Sequence, residues 1–307
     1  MKYRILGKTG LKVSVVGVGT WQFGGEWGKD FQQTEVDAMF RRAGELGINL
    51  IDTAECYGDH TSEAFIGKAI EGDRADWVVA TKFGHKFHEP FKRTEPRSPS
   101  DARHQTEASL AALRTDYIDV QQYHSWGEEQ FFDDDVLAEL NKLKDEGKIR
   151  HIANSVGDSE KGLRQIDASS DRGIEAIQII YNRLDRRPEA EALLLCQNQN
   201  LGVLARVPLA SGYLSGKYKP GHKFENNEVR GKWHGQEKSD EALRQVEEIE
   251  KLEKPHDVPM AQWALAWCLK HPAVTCVIPG CKNVEQVESN AAAAELEMVS
   301  DDHPQAA

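Results

Sequence analysis

The sequence predicts a (β/α)8 barrel. Seven or eight short apolar stretches alternate with helical ones along the 307 residues, in units of roughly 25 to 45 residues, the pattern of parallel strands joined by right-handed crossovers. Chains of this length routinely form such a barrel as one unit, so residues 1–307 are expected to be a single domain. The phosphate loops of open nucleotide-binding sheets are missing. Gly17-Val-Gly19 lacks the third glycine of G-x-G-x-x-G, and neither G-x-x-x-x-G-K-[ST] nor H-E-x-x-H occurs.

Residues 3–6 and 11–15 flank K-T-G and read as a small hairpin ahead of the main fold. Val15 to Gly19 is the first strand, followed by a Gly/Trp/Phe-rich loop from Thr20 to Asp30. Thr34 is placed to cap a helix running to Leu46, whose apolar face is Val36, Met39, Phe40 and Ala43. Strand 48–51 precedes a helix over 62–70, and strand 77–81 precedes a polar loop over 84–99. Ser100 or Asp101 should cap a helix to Leu113.

Strand 117–122 leads to helix 133–145, closed by Gly147. Then come strand 149–153, a weak helix over 159–167, strand 176–180, helix 189–199 and strand 202–205. A long loop over 208–238 precedes helices 240–253 and 260–270, strand 274–278 and helix 284–294. Residues 296–307 are expected to be a flexible tail.

Composition narrows the function classes. A net charge of -12 provides no basic footprint for nucleic acid and disfavours an anionic membrane surface. No apolar run reaches bilayer-spanning length, and the first ten residues lack the apolar centre of a secretory signal. Five cysteines without a C-x-x-C pair argue against a disulfide framework or a structural zinc site and fit a reducing cytoplasm.

The strand ends carry the chemistry, because a barrel of this kind builds its site at the C-terminal face. They read Asp52, Lys82, His124, Asn154-Ser155, Gln178 with Asn182, and Arg206. Singly, each has a bland role: a helix cap, a solvated charge, a core histidine, a loop polar group. A ring of six successive polar strand ends is harder to explain that way.

Tyr57 follows Asp52 on a glycine-flanked turn. A tyrosine titrates near pH 10, and an adjacent ammonium such as Lys82 is expected to lower that value, with Asp52 holding the lysine charged. His124 would orient a substrate oxygen. Such a set delivers a proton to an oxygen on which negative charge develops, as carbonyl reduction requires. No side chain donates hydride, so a nicotinamide is implied.

The stretches G-I-N-L-I-D-T-A-E-C-Y-G (47–58), T-K-F (81–83), D-Y-I-D-V-Q-Q-Y-H (116–124), G-K-I-R-H-I (147–152), Q-I-I-Y-N (178–182), V-P-L-A-S-G-Y-L-S-G-K-Y (207–218) and I-P-G (278–280) resemble the aldo-keto reductase superfamily. The opening Y-R-I-L-G-K-T-G-L-K-V-S resembles its bacterial and plant branches. The resemblance covers about residues 1 to 295 and implies an NADPH-dependent interconversion of carbonyls and alcohols, with NADH the other cofactor of this kind. Tyr57 would be the general acid, and Asp52, Lys82 and His124 would complete the family's tetrad.

Ser155 and Gln178 match the residues that hold the nicotinamide carboxamide. Thr20 and Trp21 match positions beside the cofactor. The segment Leu209 to Lys217, following Pro208, matches the one lying over the pyrophosphate; Ser211, Gly212, Leu214 and Lys217 fall in it. Asn290 matches a residue that meets the adenine.

Some positions depart from the family's commonest pattern. Val156 stands where an asparagine often follows the serine, so one carboxamide contact is expected to be lost unless Asn154 compensates. Arg206 replaces a stacking tyrosine and is kept as a cofactor contact, since a guanidinium is also planar. Gly280 and Gln286 stand where some branches have a lysine and an arginine for the 2′-phosphate, so Lys282 at a helix start is the expected replacement. His60 replaces a glycine and is expected to alter the local backbone.

The substrate is expected to be a small carbonyl compound. Trp21, Trp27, Phe83 and Trp126 fall on rim loops and are candidates to line its pocket. His85 and His88 lack a third metal ligand and read as loop residues. Alternative readings are a nucleotide-binding regulatory or redox-sensing subunit and an NAD-dependent alcohol or polyol dehydrogenase. A hydrolase using Asp52 with a second acid fits badly, because no other strand ends in a matching carboxylate. Oligomeric state, favoured direction and physiological substrate are not legible.

Overall fold

Apolar runs too short for helices become strands buried on both faces. Val78–Phe83, the third strand of the barrel, is buried at every position, as expected of a parallel sheet covered by helices. The computed structural model describes the whole chain, Met1–Ala307. Its eight barrel strands are Val18–Gly19, Leu50–Asp52, Val78–Phe83, Ile118–His124, Ile149–Ser155, Ala176–Ile180, Gly202–Arg206 and Cys276–Val277. They pair in chain order, parallel throughout.

The first and last strands close the ring through parallel bridges, Val16 to Val277 and Gly19 to Gly280. Both strands are shorter than the sequence suggests because single bridges replace a continuous ladder there. Gly19 is needed at the seam: a Cβ would lie 2.6 Å from the Ile278 carbonyl oxygen. The predicted (β/α)8 barrel is the observed fold.

Period-two alternation sorts strand residues into two cores. Leu50, Val78, Ala80, Val120, Ala153, Ala176, Leu204, Cys276 and Ile278 form the inner one, while a much larger cluster lies between strands and helices. The predicted N-terminal hairpin pairs Tyr3–Ile5 with Lys12–Ser14, and its Leu6 and Val13 join the inner core.

Four segments differ from expectation. The first long helix spans Gln33–Glu45 and is capped by Gln32, not Thr34, through reciprocal bonds with Glu35. The third, Pro99–Leu113, takes Ser98 as its cap, with Asp101 answering. Residues 84–99 hold an antiparallel hairpin, Lys86–Glu89 with Lys92–Thr94, whose exposed strands leave no apolar alternation to read. The tail is docked rather than loose. The Ile5 N–H donates to the Gln305 carbonyl at 2.7 Å, and Thr275 Oγ1 donates to Gln305 Oε1 at 2.5 Å. The free edge of the N-terminal hairpin supplies the backbone groups that the tail satisfies.

Candidate active site

The inner-core parity continues past the apolar layer and selects the site. Two residues beyond Leu50, Ala80, Ala153, Ala176 and Leu204 stand Asp52, Lys82, Ser155, Gln178 and Arg206; beyond Val120 come Gln122 and then His124. Apolar side chains fill the lower barrel, and polar ones on the same inward face fill its C-terminal end. Lys82 pairs in register with Gln122, and His124 with Ser155.

These side chains form one buried network. Lys82 Nζ donates to Asp52 Oδ2 at 2.8 Å and to the Thr53 carbonyl at 2.6 Å, and lies 3.3 Å from the Tyr57 hydroxyl. Asp52 Oδ1 accepts from Gln178 Nε2 at 2.6 Å and from Gln122 Nε2 at 3.2 Å. Both oxygens of the buried carboxylate are hydrogen-bonded, which is what its burial demands.

Burial opposes the Lys82 charge, but Asp52 and Tyr57 hold its ammonium at about 12. The expectation for Tyr57 was a lowered pKa. Instead burial pushes it up to about 12, and Lys82 opposes that only in part. The hydroxyl therefore stays a loaded proton donor at neutral pH. Burial, then the neighbouring His85, Lys82, Arg206 and Arg93 charges, pull His124 well below the usual histidine range, so its ring is neutral. The His124 ring lies edge-on to Tyr57 with centroids 6.2 Å apart, and Cys56 Sγ is 3.7 Å from His124 Nδ1.

A cavity of about 650 Å³ opens over this network, a size typical of small-molecule and cofactor sites. Tyr57, Asp52 and His124 line it with Ser155, Gln178 and Arg206. Thr20, Trp21, Pro208, Leu209, Ser211, Gly212 and Lys217 continue the wall, as do Gly280, Lys282, Gln286 and Asn290. Lys82 is fully buried and meets Tyr57 and Asp52 instead. Leu214 turns away into the packing of Leu243 and Trp263.

The aromatic candidates divide. Trp21 stacks on Tyr57 at 6.1 Å, and Trp27 meets Trp21 edge-on at 5.2 Å. Phe83 and Trp126 do not reach the cavity. With Lys82 pointing inward, Phe83 points outward and packs on Tyr123 and Trp126 at 5.1 and 5.2 Å. The rim also contains residues that the strand-end pattern does not signal. Trp233 lies 5.9 Å from Trp21 and 5.4 Å from Phe91. Glu26 accepts from Trp21 Nε1 at 2.6 Å, from the Phe91 N–H at 2.8 Å and from Arg93. That carboxylate ties the 20–30 loop to the 86–94 hairpin.

Other departures resolve locally. Asn154 points outward and donates to Gln165 Oε1 at 2.9 Å, so it does not replace the missing asparagine at 156. Arg206 donates to the carbonyls of Val156 and Gly157 at 3.0 and 3.2 Å. His60 has φ 64°, the left-handed conformation a glycine would adopt. His85 packs on His124 with centroids 4.6 Å apart, while His88 bonds Thr94 at 2.9 Å on the hairpin, so the two histidines do not converge.

The match to known proteins is extensive. The model of the aldo/keto reductase family matches residues 15–306. The chain belongs to the aldo-keto reductase family. It is 32% identical to an NADH-specific methylglyoxal reductase of Escherichia coli (strain K12) over 97% of this chain and 95% of that one. The holo form of aldo-keto reductase AKR11C1 from Bacillus halodurans superposes with TM-score 0.80 at 30% identity, covering 96% of this chain and 91% of that chain. Glycerol dehydrogenase AKR11B4 from Gluconobacter oxydans gives TM-score 0.81 at 29% identity, covering 94% and 89%.

As an aldo-keto reductase, the chain is an oxidoreductase of a family that uses nicotinamide cofactors, and the cavity suits such a group. Gln178 bonds Asp52 and Ser155, and both Ser155 and Gln178 share the cavity lining with Lys217, Lys282 and Asn290. After the seventh strand Val207, Ala210, Ser211 and Gly212 all have positive φ, the concave backbone that accommodates anions. A Cβ on Gly212 would come within 3.2 Å of Arg230 Nη1, so glycine keeps that cation beside the chain. No helix is long and apolar enough to cross a membrane.

Proposed function

We propose that the protein reduces small aldehydes or ketones with NADPH, Tyr57 acting as the proton donor. The observation that carries this reading is the Lys82 ammonium, 2.8 Å from Asp52 Oδ2 and 3.3 Å from the Tyr57 hydroxyl. A reduced nicotinamide, when bound, supplies hydride to the carbonyl carbon. Tyr57 gives its proton to the carbonyl oxygen. Lys82 stabilises the phenolate that remains, and Asp52 keeps Lys82 charged and in place. The protonated Cys56 thiol facing His124 Nδ1 supports an Nε2–H tautomer able to donate to the same oxygen. Trp21, Trp27 and Trp233 exclude water from one side.

Ser155 and Gln178 hold the carboxamide in this reading, and Asn290 meets the adenine. Lys282, beside the start of helix Val284–Ala292, takes the 2′-phosphate. NADH is the second reading, favoured by one contact: Lys282 Nζ already donates to the Trp27 carbonyl at 2.6 Å. The likeness to an NADH-specific relative supports it as well. Five free cysteines fit a cytoplasmic setting.

The test is a cofactor-fluorescence titration with NADPH and NADH, followed by a panel of aldehydes, diketones and sugars read by loss of reduced-nicotinamide absorbance. Turnover of carbonyls with tighter NADPH binding is expected. Cofactor binding without turnover of any carbonyl would overturn the reading.

A further inference from the structure

We propose that Glu55, Cys56 and His124 form a binding site for a zinc-like divalent cation at the wall of the catalytic cavity. One ligand atom from each residue lies within 4.8 Å of the other two. The Cys56 Sγ to His124 Nδ1 distance is 3.7 Å. Zn–S of about 2.3 Å and Zn–N of about 2.0 Å at a tetrahedral angle place those atoms roughly 3.5 Å apart, so the side chains stand nearly at ligand spacing.

A thiol hydrogen bond to the imidazole would account for that pair alone. It does not account for Glu55. Its carboxyl is 3% exposed; Oε1 accepts from the His85 N–H at 2.9 Å, and Oε2 has no partner. A buried carboxylate oxygen without a partner costs free energy that a cation would recover. Carboxylate, thiolate and neutral imidazole also match the ligand preference of zinc or cobalt over magnesium or calcium.

Burial pushes the Glu55 carboxyl up to about 8, so binding near neutral pH displaces the thiol proton and the carboxyl proton to solvent and leaves every oxidation state unchanged. Two anionic ligands neutralise the dication, which suits a buried site. Cys56 and His124 both line the cavity, so water can complete the coordination from that side. The ion would engage His124 through Nδ1 and leave Nε2 facing the substrate space.

Cobalt(II) titrated into the purified, chelator-treated full-length protein tests this. One equivalent should bind with a thiolate-to-cobalt charge-transfer absorption. Cys56→Ser should lose that absorption, and Glu55→Gln should weaken cobalt affinity at least roughly tenfold, the effect of losing one charged ligand interaction. Circular dichroism confirms that each variant is folded; if Cys56→Ser does not fold, Glu55→Gln decides. Absence of the absorption in the parent, its survival in Cys56→Ser, or unchanged affinity in Glu55→Gln overturns the proposal. The readout needs no turnover, so a protein that binds cobalt yet reduces no carbonyl would refute the proposed function and leave the cation site standing.

Discussion

Gln178 donates through Nε2 to Oδ1 of Asp52 at 2.6 Å, spanning the barrel from the sixth strand to the second. The same side chain accepts from Ser155 Oγ at 3.3 Å and lines the cavity. One amide thus joins the carboxylate that supports Lys82 to the wall expected to hold the nicotinamide.

Gln178→Ala should therefore weaken both. A hydrogen bond to the neutral carboxamide contributes about 0.5–1.5 kcal/mol, so cofactor affinity should fall by roughly two- to tenfold, while loss of the bond to charged Asp52, about 1.5–3 kcal/mol, should lower turnover further. Fluorescence titration and steady-state kinetics on the same preparation check this. Unchanged cofactor affinity would show that Gln178 serves Asp52 alone.

Lys82→Met should damage stability and turnover together. It leaves Asp52 charged, buried and short of its cation, and breaking a buried ion pair costs about 3–5 kcal/mol. Denaturant unfolding measures the first effect and carbonyl reduction the second. A variant as stable as the parent would show that Gln178 and Gln122 suffice to hold the carboxylate.

Much of the site was legible because six of the eight barrel strands are short apolar runs with a polar residue at or near the C-terminal end. Asp52, Lys82, His124, Ser155 and Gln178 all follow that pattern. Gln122 does not, since it sits inside a Q-Q pair before the strand ends; only its inward parity, two residues before His124, marks it. The same parity places Phe83 on the outer face, which position along the loop alone misses. Glu26, Arg93 and Trp233 reach the rim through contacts between loops far apart in sequence, and no local pattern encodes those. The Tyr57 shift depends on the balance of burial against one ammonium, a quantity that composition does not carry.

The docked tail should respond to acid. His303 is drawn down to about 4 by burial and by Arg4, with His271 also facing it. The folded state thus prefers the neutral ring, while an undocked ring protonates below its usual value of about 6.5. Docking is fully supported above that value and weakens as pH falls toward 4. Hydrogen exchange at the Ile5 amide, which donates to Gln305, should lose protection over that window after correction for intrinsic rates. Constant protection would rule out His303 as the sensitive group.

Lys282→Ala separates the two cofactor readings. Loss of a charge-assisted contact to the 2′-phosphate should weaken NADPH by about tenfold or more and leave NADH nearly unchanged. Equal effects on both cofactors would confine Lys282 to its contact with Trp27.

The central claim is that Tyr57 delivers the proton to the carbonyl oxygen. Its most direct test is Tyr57→Phe, compared with the parent in NADPH titration and in carbonyl turnover. General acid catalysis contributes about 10²–10⁴-fold, so turnover should fall by at least that order while cofactor affinity holds. Turnover that survives the substitution would contradict the assignment.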